Sequence, residues 1–476
     1  MPRPAPPAGR WVPWALAAVV AALYTLFAVL QWRRLEAPSW DLGIFTQLAQ
    51  AYSRLGAPVV TIKGEGFNLL GDHFHPLLAL LGPVYRLFPS GLTLLVVQAL
   101  LLAVSVVPIA SVAREVLGRA RGTALGAAYG LSWGLQGAVA AQFHEIAFAV
   151  PLLACALAAF LRRRWWACAA WAAPLVFVKE DLGLTVAALG LVLVWRGWRE
   201  RAARRGQQAR VGALLAGWGV AWFVLAVAVI LPALNPRARW DYVDRLGEPQ
   251  DGVLDVLLGA VVPGEKWVTV LLLVAAAGVV GVRSPLVWLW VPTLAWRFLG
   301  NVEHYWGWDW HYSAVLMPVA AAALMDAVRP RPVVDDGAPG AGTRRDGWAT
   351  IGVAVAVATT VLMMPTQPLA RLVEPEAYAL PARYDGAMAA VRAVEPGATV
   401  ETDIYLMAYL VPRAQVYWVG NEGNPAPDFV QLDTLRRTWP DRDITDAAAF
   451  AEARHPGTDY ELVLEADGYQ VAARVG

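Results

Sequence analysis

The run Leu92–Ala113, LTLLVVQALLLAVSVVPIASVA, decides what kind of fold this chain has. It carries no charged residue from end to end and stops at Arg114. Wound into a helix rising ~1.5 Å per residue, such a run reaches across the ~30 Å hydrocarbon core of a bilayer. Apolar runs recur from Trp11 to about Pro365. The 476-residue chain is 58% hydrophobic and only 16% charged, with a mean hydropathy of +0.46. A soluble domain has about 25% charged residues to cover its surface. The fold expected is mainly α, that of a polytopic membrane protein.

Several function classes fall away at once. A net charge of +1 leaves no footprint for nucleic acid. Cys155 and Cys168 both lie in apolar runs, so neither a disulfide framework nor zinc-type spacing follows. The first apolar segment, WVPWALAAVVAALYTLFAVLQ, is long for a signal peptide, and the QWRRLEAPSW after it lacks a small-x-small cleavage site. An uncleaved anchor is expected.

Arginines set the sidedness; the only lysines are Lys63, Lys179 and Lys266. Basic clusters fall at Arg3 and Arg10, Arg114–Arg121, Arg162–Arg164, from Arg196 onward, at Arg283, and in the linker Arg329–Gly347. Placing them in the cytoplasm follows the positive-inside rule, with Arg33 and Arg34 outvoted. Spans are then expected at 12–30, 92–113, 122–140, 145–161, 166–178, 182–195, 211–231, 267–282, 285–299, 312–328 and 348–364, about eleven crossings, some short. Residues 1–365 form the transmembrane domain, with a first outer loop at 31–91. The segment Pro76–Phe88 is too short and too broken by Gly and Pro to cross, and reads as re-entrant or interfacial. Ahead of it, Ile44, Phe45, Leu48, Tyr52 and Leu55 share one helical face, which suits a helix lying along the outer membrane surface.

Composition changes after Pro365, and residues 366–476 are expected to form an extracytoplasmic α/β domain. ATVETDIYLMAYLVPRAQVYWVG reads as strand, helix, strand. YELVLEADGYQVAARV reads as a hairpin turning at Asp467-Gly468.

With this topology the ionisable residues gather on the outer side. Asp41, GDHFHP (Asp72, His73, His75), His144 and Glu145, VKED (Lys179, Glu180, Asp181), Asp241, and the run holding Glu303, His304, Asp309, His311 and Tyr312 all fall at outward ends. Five of the six histidines are in this set. Ionisable groups near hydrocarbon are costly unless paired or facing water, so a shared polar cavity is expected. Each residue also has a bland account. Asp41 suits a first helical turn, Lys179 suits partial neutralisation of Glu180 or Asp181, and the tryptophans of HYWGWDWHY suit an aromatic belt. In GDHFHP, Gly71 and Pro76 make a turn, while an extended His73–His75 puts both rings on one side. That pair with Asp72 admits a divalent metal as a secondary reading, which would need further ligands such as His144 or Glu180; no other cofactor is expected.

The stretches SWDLGIFTQLAQAYSRLG, GDHFHPLLALLGPVYRLFPS, FHEIAF, VKEDLGL and HYSAVLMP, in that order, resemble the bacterial membrane-protein family of domain of unknown function 2079. The resemblance runs from Ser39 to Ala320, with ETDIYLMAYLVPRAQVYWVG matching the usual tail. In layout the chain is similar to the GT-C glycosyltransferases, which include the protein mannosyltransferases and the lipid A aminoarabinose transferases. One long span is followed by an acidic residue opening the first outer loop, then surface helices and many crossings. Those enzymes take a sugar from a polyprenyl-phosphate carrier and use an aspartate in that loop. Asp41 matches it, although their Asp-Glu pair is absent and Leu42 follows.

The resemblance implies transfer of a sugar from a polyprenyl-phosphate-linked donor, held at the bilayer, to an envelope glycan, lipid or protein. Asp41 would act as general base, with His75 and Glu180 at the reacting centre and Lys179 facing the leaving phosphate. Asp72, His73, His144, Glu145, Asp181, His304, His311 and Tyr312 would bind substrate. Two alternatives use the same features: a transporter or flippase of an envelope precursor, and a non-catalytic membrane scaffold. Against the transporter, the sequence has no matching halves, and its charges gather at one face and not at the midplane.

Overall fold

A computed structural model describes residues 9–37, 40–199, 205–242, 258–259, 261–329, 341–437 and 444–475. Arg3, the arginines within 200–204 and most of the Arg329–Gly347 linker lie outside the described residues. The chain is mainly helical, with a small sheet at its C-terminal end.

Helix α1 (Val12–Arg33) leads into a first loop holding α2 (Trp40–Ser53) and α3 (Leu81–Leu87). It packs against α4 (Gly91–Val104) and α5 (Val106–Leu117), which join at Ser105 into one span. The bundle continues through α6 (Arg119–Gly130), α7 (Trp133–Ala140), α8 (Ile146–Leu161), α9 (Trp165–Ala172), α10 (Leu182–Arg199), α11 (Arg205–Leu225) and α12 (Leu231–Leu234). Then come α13 (Glu265–Ala276), α14 (Trp290–Leu299), α15 (Leu316–Val328) and α16 (Ala341–Met363).

Among the described residues, six helices are long and apolar enough to cross a membrane: Val12–Arg33, Gly91–Leu117, Leu182–Arg199, Gly206–Leu234, His311–Val328 and Arg344–Thr366. The expected spans at 122–140, 145–161, 166–178, 267–282 and 285–299 are helical but shorter or interrupted. Helix length therefore does not yield a count of eleven.

Helices α10 and α11 touch backbone to backbone. A Cβ on Gly190 would stand 2.4 Å from the Ala216 nitrogen, so only glycine fits that seam. The seam fixes the start of α10, where Lys179–Asp181 sit. Arginines collect at one end of the bundle, and three of them form ion pairs there. Arg162 meets Glu115 at 2.6 Å, Arg121 meets Asp346 at 3.0 Å, and Arg196 is bonded to Asp326.

The C-terminal region has β1 (Thr399–Thr402), β2 (Gln415–Trp418), β3 (Phe429–Asp433), β4 (Asp459–Ala466) and β5 (Tyr469–Val475), ordered β2-β1-β3-β5-β4. β1 runs parallel to both neighbours, and β4–β5 is the expected hairpin. Asp467 and Gly468 sit at φ +50° and +80°, as a two-residue I′ turn demands. Helices α17 (Tyr384–Ala393), α18 (Met407–Leu410) and α19 (Ala447–Arg454) cover the sheet.

This region changes the reading of α2. The helix forms where expected, but it does not lie on the bilayer with one polar face. Leu42–Ala49 are all buried, because the sheet docks over it. Gln47 donates to Val416 O at 3.2 Å and Gln50 to Val411 O at 2.8 Å, while Trp32 stacks on Tyr409 at 3.8 Å. Met407 presses on Gly43. Only Leu55, 91% exposed beyond the helix end, points away. The segment Pro76–Leu87 forms a short 3₁₀ turn and then α3, exposing Leu80, Val84 and Leu87, and is too short to cross.

Candidate functional site

At the end opposite the arginines, the starts of α2, α8 and α10 meet the loop before α15. Asp41 occupies the first turn of α2, where the helix dipole favours a carboxylate. Its side chain is 52% exposed, so solvent supports the ionised form. His144 Nε2 faces Asp41 Oδ2 at 3.5 Å, longer than a hydrogen bond, and has no closer partner. The other ring nitrogen of His144, Nδ1, lies 3.2 Å from Gln142 O, which can only accept. His311 stacks on His144, and Tyr312 packs 3.9 Å from His311.

Behind this rim the charges are buried and paired. Glu145 bonds Lys179 at 2.8 Å, and Glu180 bonds His73 Nδ1 at 2.7 Å while accepting the Phe74 N–H at 3.0 Å. The sequence reading paired Lys179 with its neighbours Glu180 or Asp181. The structure pairs it across the fold, because the turn before α10 aims its ammonium at the start of α8. Burial alone would lower the Lys179 ammonium; the adjacent Glu145, with Asp181 and Glu180, outweighs that and raises it. Burial likewise works against the charged His73, and Glu180 reverses the balance and raises it. Asp181 lacks such a partner: its Oδ1 is buried without a hydrogen bond, and burial pushes its carboxyl up to about 6.

GDHFHP is not extended throughout. Residues 72–73 form a bend after a 3₁₀ turn, and the two histidines part company. Asp72 pairs with Lys63 at 2.8 Å and His73 with Glu180. His75 is buried edge-on to Phe45 with Nδ1 unpartnered; burial pushes its imidazole down to about 4, Glu145 opposing. Gly71 lies against the end of α12, where a Cβ would stand 2.5 Å from Leu234 O. Among the described residues no three His, Cys, Asp or Glu side chains are grouped to hold a metal ion. Asp72 and His73 are instead spent on pairs with Lys63 and Glu180.

The structure thus gathers Asp41, His144, His311 and Tyr312 at the rim, and Glu145, Lys179, His73, Glu180, Asp181 and His75 behind it. Asp72 turns to Lys63, and Asp241 keeps to Asn235, Arg237 and Arg239. His304 is exposed at the edge, its ring 6.4 Å from Tyr312. The arrangement is a packed cluster opening at Asp41, tighter than the expected cavity. Two residues that the sequence reading passed over hold it together. Gln98, buried in α4, donates to Ala138 O and Gln142 O and accepts the His144 N–H at 3.0 Å, pinning the corner before α8. A polar residue in the apolar run Leu92–Ala113 was the available signal. Arg297 in α14 bonds three points of the loop carrying His304–Tyr312.

Solved structures place this fold. The crystal structure of ArnT from Cupriavidus metallidurans bound to undecaprenyl phosphate is similar over 98% of this chain and 99% of that one, with a TM-score of 0.57 at 13% identity. The same protein in the apo state is similar over 97% and 98%, with a TM-score of 0.53 at 16% identity. An oligosaccharyltransferase from Archaeoglobus fulgidus is similar over 95% and 72%, with a TM-score of 0.47 at 14% identity. No curated protein matches by sequence. The class is therefore a polytopic membrane protein with the fold of the GT-C glycosyltransferases, which fixes architecture and not activity. Within that class the chain belongs to the DUF2079 family, described as predicted membrane proteins, whose model matches residues 31–471.

Proposed function

We propose that this protein is a membrane glycosyltransferase acting at the extracytoplasmic face. Its donor is a sugar on a polyprenyl phosphate, and its acceptor is a hydroxyl of an envelope glycan, lipid or protein. The observation that carries the reading is Asp41: a solvent-open carboxylate in the first turn of α2, beside the unpartnered Nε2 of a buried histidine. Support comes from the similar fold crystallised with undecaprenyl phosphate. The arginine-rich bundle end is assigned to the cytoplasm with the N-terminus, which puts the site and the C-terminal sheet outside.

Asp41 accepts the proton of the acceptor hydroxyl as that oxygen attacks the anomeric carbon. The bond from this carbon to the phosphate oxygen breaks, and the electron pair leaves with the polyprenyl phosphate. His144, whose Nε2 faces Asp41 Oδ2 at 3.5 Å, steadies the carboxylate. His311 and Tyr312 wall the sugar. His75, neutral at physiological pH, offers a hydrogen bond without charge, and the His73–Glu180 and Lys179–Glu145 pairs hold the corners in register.

The test is sugar transfer in membranes supplied with a lipid-linked donor. Asp41→Asn is expected to insert normally and lose transfer by about a hundredfold or more, the scale of general-base catalysis. Full activity in that variant overturns the assignment.

A further inference from the structure

Of the run HYWGWDWHY, His304–Tyr312, the transfer chemistry uses only the last two residues. The aromatic rings nevertheless continue from His144, beside Asp41, without a break. His144 stacks on His311 at 3.5 Å and His311 meets Tyr312 at 3.9 Å. Trp310 stands one ring further, 6.0 Å from His311 and 6.0 Å from His304. The run passes from buried to open: His311 is 4% exposed, Trp310 is 37% exposed, and His304 is exposed beside it. Each open ring has a carboxylate next to it in the chain, Glu303 before His304 and Asp309 before Trp310. Both carboxylates are exposed, and neither is in an ion pair among the described residues. The loop is braced by the three bonds from Arg297 and by Gly137 of α7, where a Cβ would stand 3.1 Å from Trp310 O. The rings are thus held in place before anything binds.

An exposed tryptophan at this end of a bundle also suits a lipid interface, but the two carboxylates argue against one, because beside lipid phosphates they repel. A saccharide answers both features. Its C–H faces lie flat on aromatic rings, and its hydroxyls donate to carboxylates, which only accept. We propose that the Trp310–His304 patch is a subsite for a sugar unit of the acceptor, and that the acceptor is a glycan of more than one sugar. This inference rests on the glycosyl-transfer reading and narrows it. The attacking hydroxyl lies at Asp41, and a neighbouring unit of the same glycan lies on Trp310, its hydroxyls held by Asp309 and Glu303. That contact is remote from the reacting carbon, so it sets affinity and selects for chain length.

The full-length protein in nanodiscs is offered, without donor, the total envelope polysaccharide of the producing cells, partially hydrolysed and sorted into fragments one, two and four sugars long. Binding is read by saturation-transfer difference NMR. Wild type is expected to bind the four-sugar fragments about tenfold or more tighter than the single sugars. Trp310→Ala is expected to lose that gain, and Trp310→Phe, which keeps a ring, to stay within about threefold of wild type. Long fragments bound no better than single sugars, or bound equally by wild type and Trp310→Ala, overturn the proposal. Wild type alone supplies the first of these results, so the matter is decided even if Trp310→Ala does not fold. A second arm adds lipid-linked donor. Binding that depends on length and on Trp310, with no transfer to the bound fragments, defeats glycosyl transfer and leaves a saccharide site. Transfer to a lipid or peptide with no fragment bound keeps glycosyl transfer and overturns the glycan acceptor.

Discussion

The imidazoles of His144 and His311 lie face to face, 3.5 Å between ring centres and 19° between planes, with Nε2 of the first and Nδ1 of the second lacking hydrogen-bond partners. A phenyl ring can keep the stack but offers no nitrogen. His311→Phe and His144→Phe are therefore expected to fold like wild type, by thermal unfolding in detergent, while transfer falls by about tenfold to a hundredfold. His144→Phe should lose more, because it alone faces Asp41. Equal activity in both variants would reduce the stack to packing.

In the Lys179–Glu145 pair the glutamate is buried and the lysine only 13% exposed. Removing one partner strands the other charge, at a cost of about 3–5 kcal/mol. Lys179→Met and Glu145→Gln are each expected to be much less stable than the double variant. A double-mutant cycle read by denaturation measures this, and additive losses would show the two groups to be uncoupled.

Gln98 satisfies two carbonyls and one N–H with a single side chain. Gln98→Leu has a similar volume yet orphans all three, each worth about 1–3 kcal/mol. It is expected to lower the melting temperature, and to lower transfer further in the molecules that stay folded by releasing His144. Wild-type stability would deny it this role.

Asp403, fully buried at the end of β1, accepts the N–H groups of Tyr405 at 2.8 Å and Asp433 at 2.7 Å. Burial nonetheless raises its carboxyl from 3.8 to about 7. Between those values the folded chain holds a proton that the unfolded chain has released, so this group's contribution to stability falls as pH rises from about 4 to about 7. Below that window both states are protonated, and the contribution is full and no longer varies with pH. Unfolding of the sheet followed by tryptophan fluorescence should show this slope in wild type and not in Asp403→Asn.

The helical runs and the Asp467-Gly468 hairpin were legible because they rest on local periodicity and turn chemistry. The gathering of Asp41, His144 and His311 was legible in outline, since alternate helix ends must share a side. The partners were not. Glu145 and Lys179 meet only because α8 and α10 start side by side, and nothing within VKED says that its lysine looks away from its neighbours. The burial of α2 was hidden for the same reason: its polar face, with Gln47 and Gln50, looked solvated until the distant Val411 and Val416 carbonyls arrived. Arg297 lay in an apolar stretch without a motif.

Helix α2 is held by two bodies at once, the bundle on one side and the C-terminal sheet on the other. A tug on β2 at Val416 therefore reaches Asp41 through one rigid rod, anchored at Gln47 and, near its start, at Gly43 against Met407. The C-terminal sheet is in this sense a micrometer for the carboxylate. Anything that lifts it by a fraction of an ångström resets the gap between Asp41 and His144.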